Sequence, residues 1–327
     1  MYYDLGNDYQ IVFFSNPYKW MVHEKHHIDY FLGKDVLTLY ANYGFEAHKY
    51  WKEVISTDFY NYVWKACVET CDNYDYLKEN EAIKGHNAIV TGYLKADSFF
   101  RETPLVRSHK KTIIISPHHT VWGWKKINIS NFLKYADFFI ELPKLYPEIQ
   151  FVFRPHPLLF THLVSHKMWN EKQIDDYLSE LLSVPNMRYD QSPDYSQLFL
   201  DSDALIHDCV SFMAEYLYVD KPCCYMMKTK EETMEGLLPI GKKCIDNHYQ
   251  AFTKEDIISF IDRVVIGGDD YLSRSRREFV DNELKITYPN SSGSLVDYIK
   301  LVLRRRRYVV HFFVYIGDQS WNLLSDN

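Results

Sequence analysis

Three short stretches of this chain carry side chains suited to gripping an anion. They are Pro117-His118-His119-Thr120, Arg154-Pro155-His156-Pro157 and His207-Asp208-Cys209-Val210-Ser211. Between them they offer four His, one Arg, one Asp, one Ser and one Thr. Such a set holds phosphate through charge-assisted hydrogen bonds and backbone amides, without a metal. Around the third stretch, the apolar run Ala204-Leu205-Ile206 has strand length and breaks at Asp208 and Ser211. Apolar residues then recur at helical spacing, at Phe212, Met213, Tyr216 and Leu217. A strand, a tight turn and a helix start leave unpaired N–H groups and partial positive charge beside the Ser211 hydroxyl, a seat for phosphate. The same pattern also describes an ordinary βα unit whose Ser caps its helix.

The elements that would position these residues follow from the pattern on either side. Beyond residue 111 the chain alternates strands at 112–116, 150–153, 187–189, 204–206 and 223–227 with helices at 131–145, 171–182, 195–200, 212–217 and 254–265. Five strands with helical crossovers predict a doubly wound parallel sheet, which binds ligands at the carboxyl ends of its strands. The three stretches all sit just past strand ends. Earlier, strands at 11–14, 36–40 and 88–91 alternate with helices at 21–32 and 57–78, an α/β pattern with few strands, so further strands are expected before Met1. The expected organisation is an N-terminal Rossmann-like domain over 1–100, a linker over 101–111, a second Rossmann-like domain over 112–303 and a basic, aromatic tail over 304–327.

Composition narrows the function. The 327 residues are 46% apolar and 25% charged, which is globular, and long enough for two domains. A net charge of −7 argues against a nucleic-acid partner, since phosphate-backbone affinity needs clustered Lys and Arg. The one strong basic cluster, Arg304 to Arg307, precedes Phe312 and Phe313 and suits either an anionic membrane surface or plain solvent. Six Cys without a CxxC pair indicate neither a zinc site nor a disulfide framework, and no signal peptide or spanning helix is read. A cytoplasmic protein, resting at most on the inner face of the cell membrane, is expected. No G-x-G-x-x-G or Walker-type glycine loop is present, which removes weight from dinucleotide and P-loop chemistry. Asp201 and Asp203 precede their strand, so no metal is expected.

Ser116-Pro-His-His-Thr120, Arg154-Pro-His-Pro157 and the stretch from Asp194 through Asp208 and Ser211 to Lys221-Pro222 resemble, in this order, the CDP-glycerol glycerophosphotransferase family of the teichoic acid polymerase type. Gly92-Tyr93 through Asp97 resembles that family's Gly-Tyr-Pro-x-x-Asp segment. The resemblance covers roughly residues 88 to 265. It implies a GT-B architecture, two Rossmann-like domains facing across a cleft, with the donor nucleotide in the second. It implies His156 and Ser211 on the donor diphosphate and Asp208 shaping the turn; His119, Thr120 and Arg154, read from their places just past strand ends, are expected beside them on the donor. No cofactor is implied. The family's Trp-His-Gly turn, whose His is its base, corresponds here to Asn42-Tyr43-Gly44. The base then falls to Tyr43, to His48 or to His118, with His119 beside it.

Three readings follow. The first is a transferase moving glycerol phosphate, or another alditol phosphate, from a CDP-linked donor to a lipid-linked or polymeric hydroxyl acceptor in the synthesis of a surface polymer such as teichoic acid or capsule polysaccharide. The second keeps the fold and takes a nucleotide sugar. The third is a non-catalytic nucleotide-binding partner in a glycan-assembly complex.

Overall fold

Two parallel sheets, each with its own core, organise the chain in a computed structural model that describes residues 4, 5, 9–102, 110–122, 129–304, 314–316 and 319–321. The chain divides into a unit of residues 1–97 and 282–327 and a unit of residues 98–281. The expected second domain ended at 303; the chain instead returns to its first unit at Asn282. Of the expected linker, residues 103–109 lie outside the described residues, as does most of the tail.

In the first unit β1 (Ile11–Phe14), β2 (Leu37–Ala41), β3 (Lys65–Val68) and β4 (Ala88–Val90) pair in sequence order, all parallel. β3 lies inside the helix expected over 57–78. Tyr60, Val63, Trp64, Cys67 and Val68 fit helical spacing, but Ala66, Cys67 and Val68 are a run buried on both faces, which a central parallel strand demands. Short helices remain on either side, Asp58–Tyr62 and Cys71–Asn80, the latter capped by Thr70. The helix expected over 21–32 is instead a set of 3-10 turns, Lys19–Met21, Glu24–His26 and Ile28–Phe31. His23 Nδ1 accepts the Lys25 N–H and His27 Nδ1 the Asp29 N–H, so the backbone is capped by side chains before a helix can propagate.

The second unit holds β5 (Thr112–Ser116), β6 (Gln150–Phe153), β7 (Met187–Tyr189), β8 (Ala204–His207), β9 (Cys223–Met226) and β10 (Tyr249–Ala251). Their order, β10-β9-β8-β5-β6-β7 and parallel throughout, is the Rossmann order, with one strand more than the sequence suggested. Ile113, Ile114 and Ile115 are completely buried, as expected of a strand covered by helices on both faces. Helix Phe132–Leu145 supplies Phe132, Phe139 and Leu142 to this core, and helix Glu171–Leu181 supplies Tyr177 and Leu181. The strand order reverses between β5 and β8, the switch point at which sheets of this order place their ligand crevice.

After 281 the chain completes the first unit. Helix Ser291–Arg304 buries Leu295, Ile299 and Leu303, one stripe at four-residue spacing, against Ile11, Leu39, Ala41 and Cys67. The Gly92 to Asp97 segment docks it. Asp97 accepts the N–H groups of Ser291 (2.9 Å) and Ser292 (2.8 Å), capping the helix from across the unit. Gly92 has φ +76°, and a Cβ there would lie 2.0 Å from the Ile286 carbonyl oxygen. β11 (Val314–Ile316) lies parallel to β1, and β12 (Gln319–Trp321) antiparallel to β11. Among the described residues no helix is long and apolar enough to cross a membrane.

Candidate functional site

The loops leaving β5, β6 and β8 are stitched together by hydrogen bonds that fix where their histidines stand. Ser116 Oγ donates to the Arg154 carbonyl at 2.6 Å, and the His156 N–H donates to the Pro117 carbonyl at 2.9 Å. Asp208, completely buried just past β8, accepts the His118 N–H at 2.6 Å on one oxygen and the Asn131 N–H at 2.5 Å on the other. Asn131 Nδ2 donates to the Met226 carbonyl at 3.1 Å, tying in β9. Burial pushes the Asp208 carboxyl up to about 6, although its Asn131 and His118 donors, and Lys228 nearby, pull the other way. Asp208 thus holds the turn after β8 against the His118 and Asn131 backbone.

His118, His119 and His156 meet in this crevice. His119 stands 4.2 Å from His118 and 4.1 Å from His156 between ring centroids, and one ring nitrogen of each lies within 4.8 Å of the others. Burial, then His156 and His162, hold His119 down to about 3; burial, then His162, holds His156 down to about 4. Both imidazoles are neutral at neutral pH, and their tautomers can be read from their partners. His156 Nδ1 accepts the Leu158 N–H at 3.1 Å, and His118 Nδ1 accepts the Thr120 N–H at 3.3 Å. A neutral ring that accepts at Nδ1 carries its proton on Nε2. Thr120, buried, has Oγ1 at 2.9 Å from the same His118 nitrogen and so orients that ring.

These bonds decide what the cluster can hold. Three convergent imidazoles suit a transition metal only if each offers a lone pair. In His118 and His156 that lone pair already accepts a backbone N–H, so the rings present N–H groups, which suit an anion.

The other residues singled out in the sequence divide. Arg154 is buried with its guanidinium against Asp190, donates to the Ser192 carbonyl at 2.8 Å, and stacks on Tyr195 at 4.8 Å. It braces the β6 loop instead of extending into the crevice. Ser211 starts helix Phe212–Glu215, a single turn whose first amides its hydroxyl does not cap, so the macrodipole expected there is small. In the first unit the Tyr43 side chain is exposed, and its carbonyl accepts the Tyr93 hydroxyl at 3.3 Å. His48 Nδ1 accepts the Tyr50 N–H at 3.0 Å, and burial, with Lys49, holds the ring down to about 4. His48 and His118 are thus both set as donors.

Sequence reasoning missed Asn131, His162, Glu46 and Glu69. Asn131 was legible as a helix-start residue. Glu46 and Glu69 follow β2 and β3, in no motif. Burial, then Glu69, pushes the Glu46 carboxyl well above the usual range, and Asn42 Nδ2 donates to it. Burial lifts Glu69 to about 7 against backbone donors at Glu69 and Glu46.

A chain of two α/β units with parallel sheets, one in Rossmann order, falls in the GT-B class. The solved structures similar to it say the same. The wall teichoic acid polymerase TagF matches with TM-score 0.61 at 12% identity, over 91% of this chain and 74% of that one. S. aureus MnaA, in a co-structure with UDP, matches with TM-score 0.53 at 14% identity, over 90% of this chain and 74% of that one. A UDP-N-acetylglucosamine 2-epimerase matches with TM-score 0.52 at 14% identity, over 93% and 74%. No protein-family model matches the chain. No curated protein matches its sequence.

Proposed function

We propose that this protein is a GT-B transferase that binds a CDP-linked alditol donor, CDP-glycerol in the first instance, and passes the alditol phosphate to a hydroxyl acceptor. The observation that supports this best is the cluster of imidazoles on the loops after β5 and β6, two of them oriented by backbone amides to donate N–H bonds. The acceptor oxygen attacks the phosphorus that bears glycerol. The bond from that phosphorus to the bridging oxygen breaks, and CMP leaves with the electron pair. The His118, His119 and His156 N–H groups stabilise charge on the departing phosphate, which in such a transfer matters more than a nucleophilic side chain.

The acceptor proton needs a base. Burial poises the Glu69 carboxyl at about 7, a value suited to a general base. A lipid-linked or polymeric acceptor would bring the chain to the inner membrane face, where the Arg304 to Arg307 cluster suits anionic lipid. A nucleotide sugar is the second reading, favoured by the likeness to UDP-bound MnaA, because a diphosphate asks for the same contacts.

The test is nucleotide release. The protein is incubated with CDP-glycerol, CDP-ribitol and UDP-sugars, with and without acceptor, and CMP and UDP are assayed. CMP release from CDP-glycerol, lost in His156→Ala, is expected. UDP release alone would move the protein to the second reading, and binding without turnover would make it a nucleotide-binding partner.

A further inference from the structure

Behind the three imidazoles stands a fourth, His162, carried by helix Leu159–Ser165. Its Nδ1 lies 2.9 Å from His119 Nδ1 and 3.4 Å from the His119 carbonyl oxygen. A carbonyl only accepts, so the proton between these atoms belongs to His162 Nδ1, which shares it with both. His119 Nδ1 is then the acceptor, and the His119 proton sits on Nε2. Trp122 fixes the His162 ring from the side, edge-on at 4.5 Å and 89°, and itself stacks on His166 at 3.7 Å.

We propose that His162 is a positioning residue: by donating to His119 it completes a set of three imidazoles, His118, His119 and His156, that all present Nε2–H to the donor diphosphate. The proposal rests on the diphosphate reading above. Backbone amides fix two of the rings, at Thr120 and Leu158, but His119 has no such amide on its Nδ1 among the described residues and takes its orientation from a side chain. Without His162, His119 is at liberty to place its proton on Nδ1 and turn a lone pair toward the phosphate. That exchanges an attraction for a repulsion while leaving the fold intact. The same logic disfavours a metal, since a cation on these three rings would need every one of the engaged lone pairs.

Two substitutions separate positioning from packing. In His162→Asn the amide nitrogen stands where Nδ1 stood, whereas in His162→Gln it stands about where Nε2 was. Calorimetry with CDP and CDP-glycerol is expected to show near-parental affinity for Asn and about tenfold weaker binding for Gln, the loss of one hydrogen bond, with equal melting temperatures. In turnover assays the Gln defect should lie in the donor KM. Nitrogen-15 spectra of the imidazoles should show His119 as the Nε2–H tautomer in the ligand-free parent and Asn variant, and mixed in the Gln variant. Equal affinity of the Asn and Gln variants, or a His119 proton on Nδ1 in the parent, would overturn the assignment, as would tight binding of Zn2+ alone to the three rings. If the spectra agree but the parent binds no CDP compound, the tautomer stands and the diphosphate reading falls.

Discussion

Replacing Asp208 by Asn separates two effects that the structure sets against each other. The carboxylate accepts the backbone N–H groups of His118 and Asn131 and the Asn131 side-chain amide at 3.4 Å, so removing its charge should cost stability. Burial nevertheless leaves the carboxyl at about 6 against an ordinary 3.8, which at roughly 1.4 kcal/mol per pH unit makes ionising it about 3 kcal/mol costlier in the folded chain than in the unfolded one. Asn resembles that neutral form and avoids the cost. In exchange its NH2 must face one of the two backbone N–H groups, and an unpaired buried donor costs about 1–3 kcal/mol. The two nearly cancel, so stability at pH 7 should change by no more than about 2 kcal/mol by urea denaturation. The parent, whose folded carboxyl pKa is raised, should lose stability as pH rises from about 3.8 to about 6, and the Asn variant should lack that slope. Donor affinity should fall at least about tenfold, because the His118 loop loses its anchor. A loss of stability well above about 4 kcal/mol would show that ionised Asp208 contributes more than its burial costs, and would refute the reasoning.

Gly92→Ala should destabilise the first unit by at least about 3 kcal/mol, combining left-handed backbone strain with a contact no Cβ can make, measured as a shift in urea midpoint; a loss under about 1 kcal/mol would be inconsistent with the 2.0 Å approach to the Ile286 carbonyl. Acid should unfold the second unit. Burial holds His248 down to about 4, and burial with His248 holds His207 well below its usual value, so the unfolded chain takes up protons below about 6.5 that the folded one refuses. Stability should then fall between about 6.5 and about 4 by about 1.4 kcal/mol per pH unit for each ring. His248→Asn, which can keep the N–H bond to the Cys244 carbonyl, should flatten that slope, and an unchanged slope would rule the ring out as its source.

The second sheet was legible because its strands are continuous apolar runs: Ile113 to Ile115 or Cys223 to Met226 can only be buried on both faces. The three loops were legible for the same reason, since they begin where those runs end. β3 was not, because Val63 to Val68 satisfies helical and strand periodicity alike. Arg154 looked like a phosphate ligand because its partner, Asp190, lies on another loop far along the chain. The tautomers of His48, His118 and His156 escaped notice although each is set by an amide only two residues ahead, because hydrogen-bond direction leaves no trace in residue type. His162 has no motif at all. Its meaning comes from the fold that brings a helix after β6 up to the loop after β5.

Because residues 98–281 interrupt the first unit, that unit's apolar surface over Ile11, Leu39 and Cys67 stays bare during synthesis until Leu295, Ile299 and Leu303 have emerged from the ribosome. The middle of the polypeptide has every strand of its own sheet long before then. Assembly thus runs from the inside of the sequence outward, and the first unit is sealed after the second.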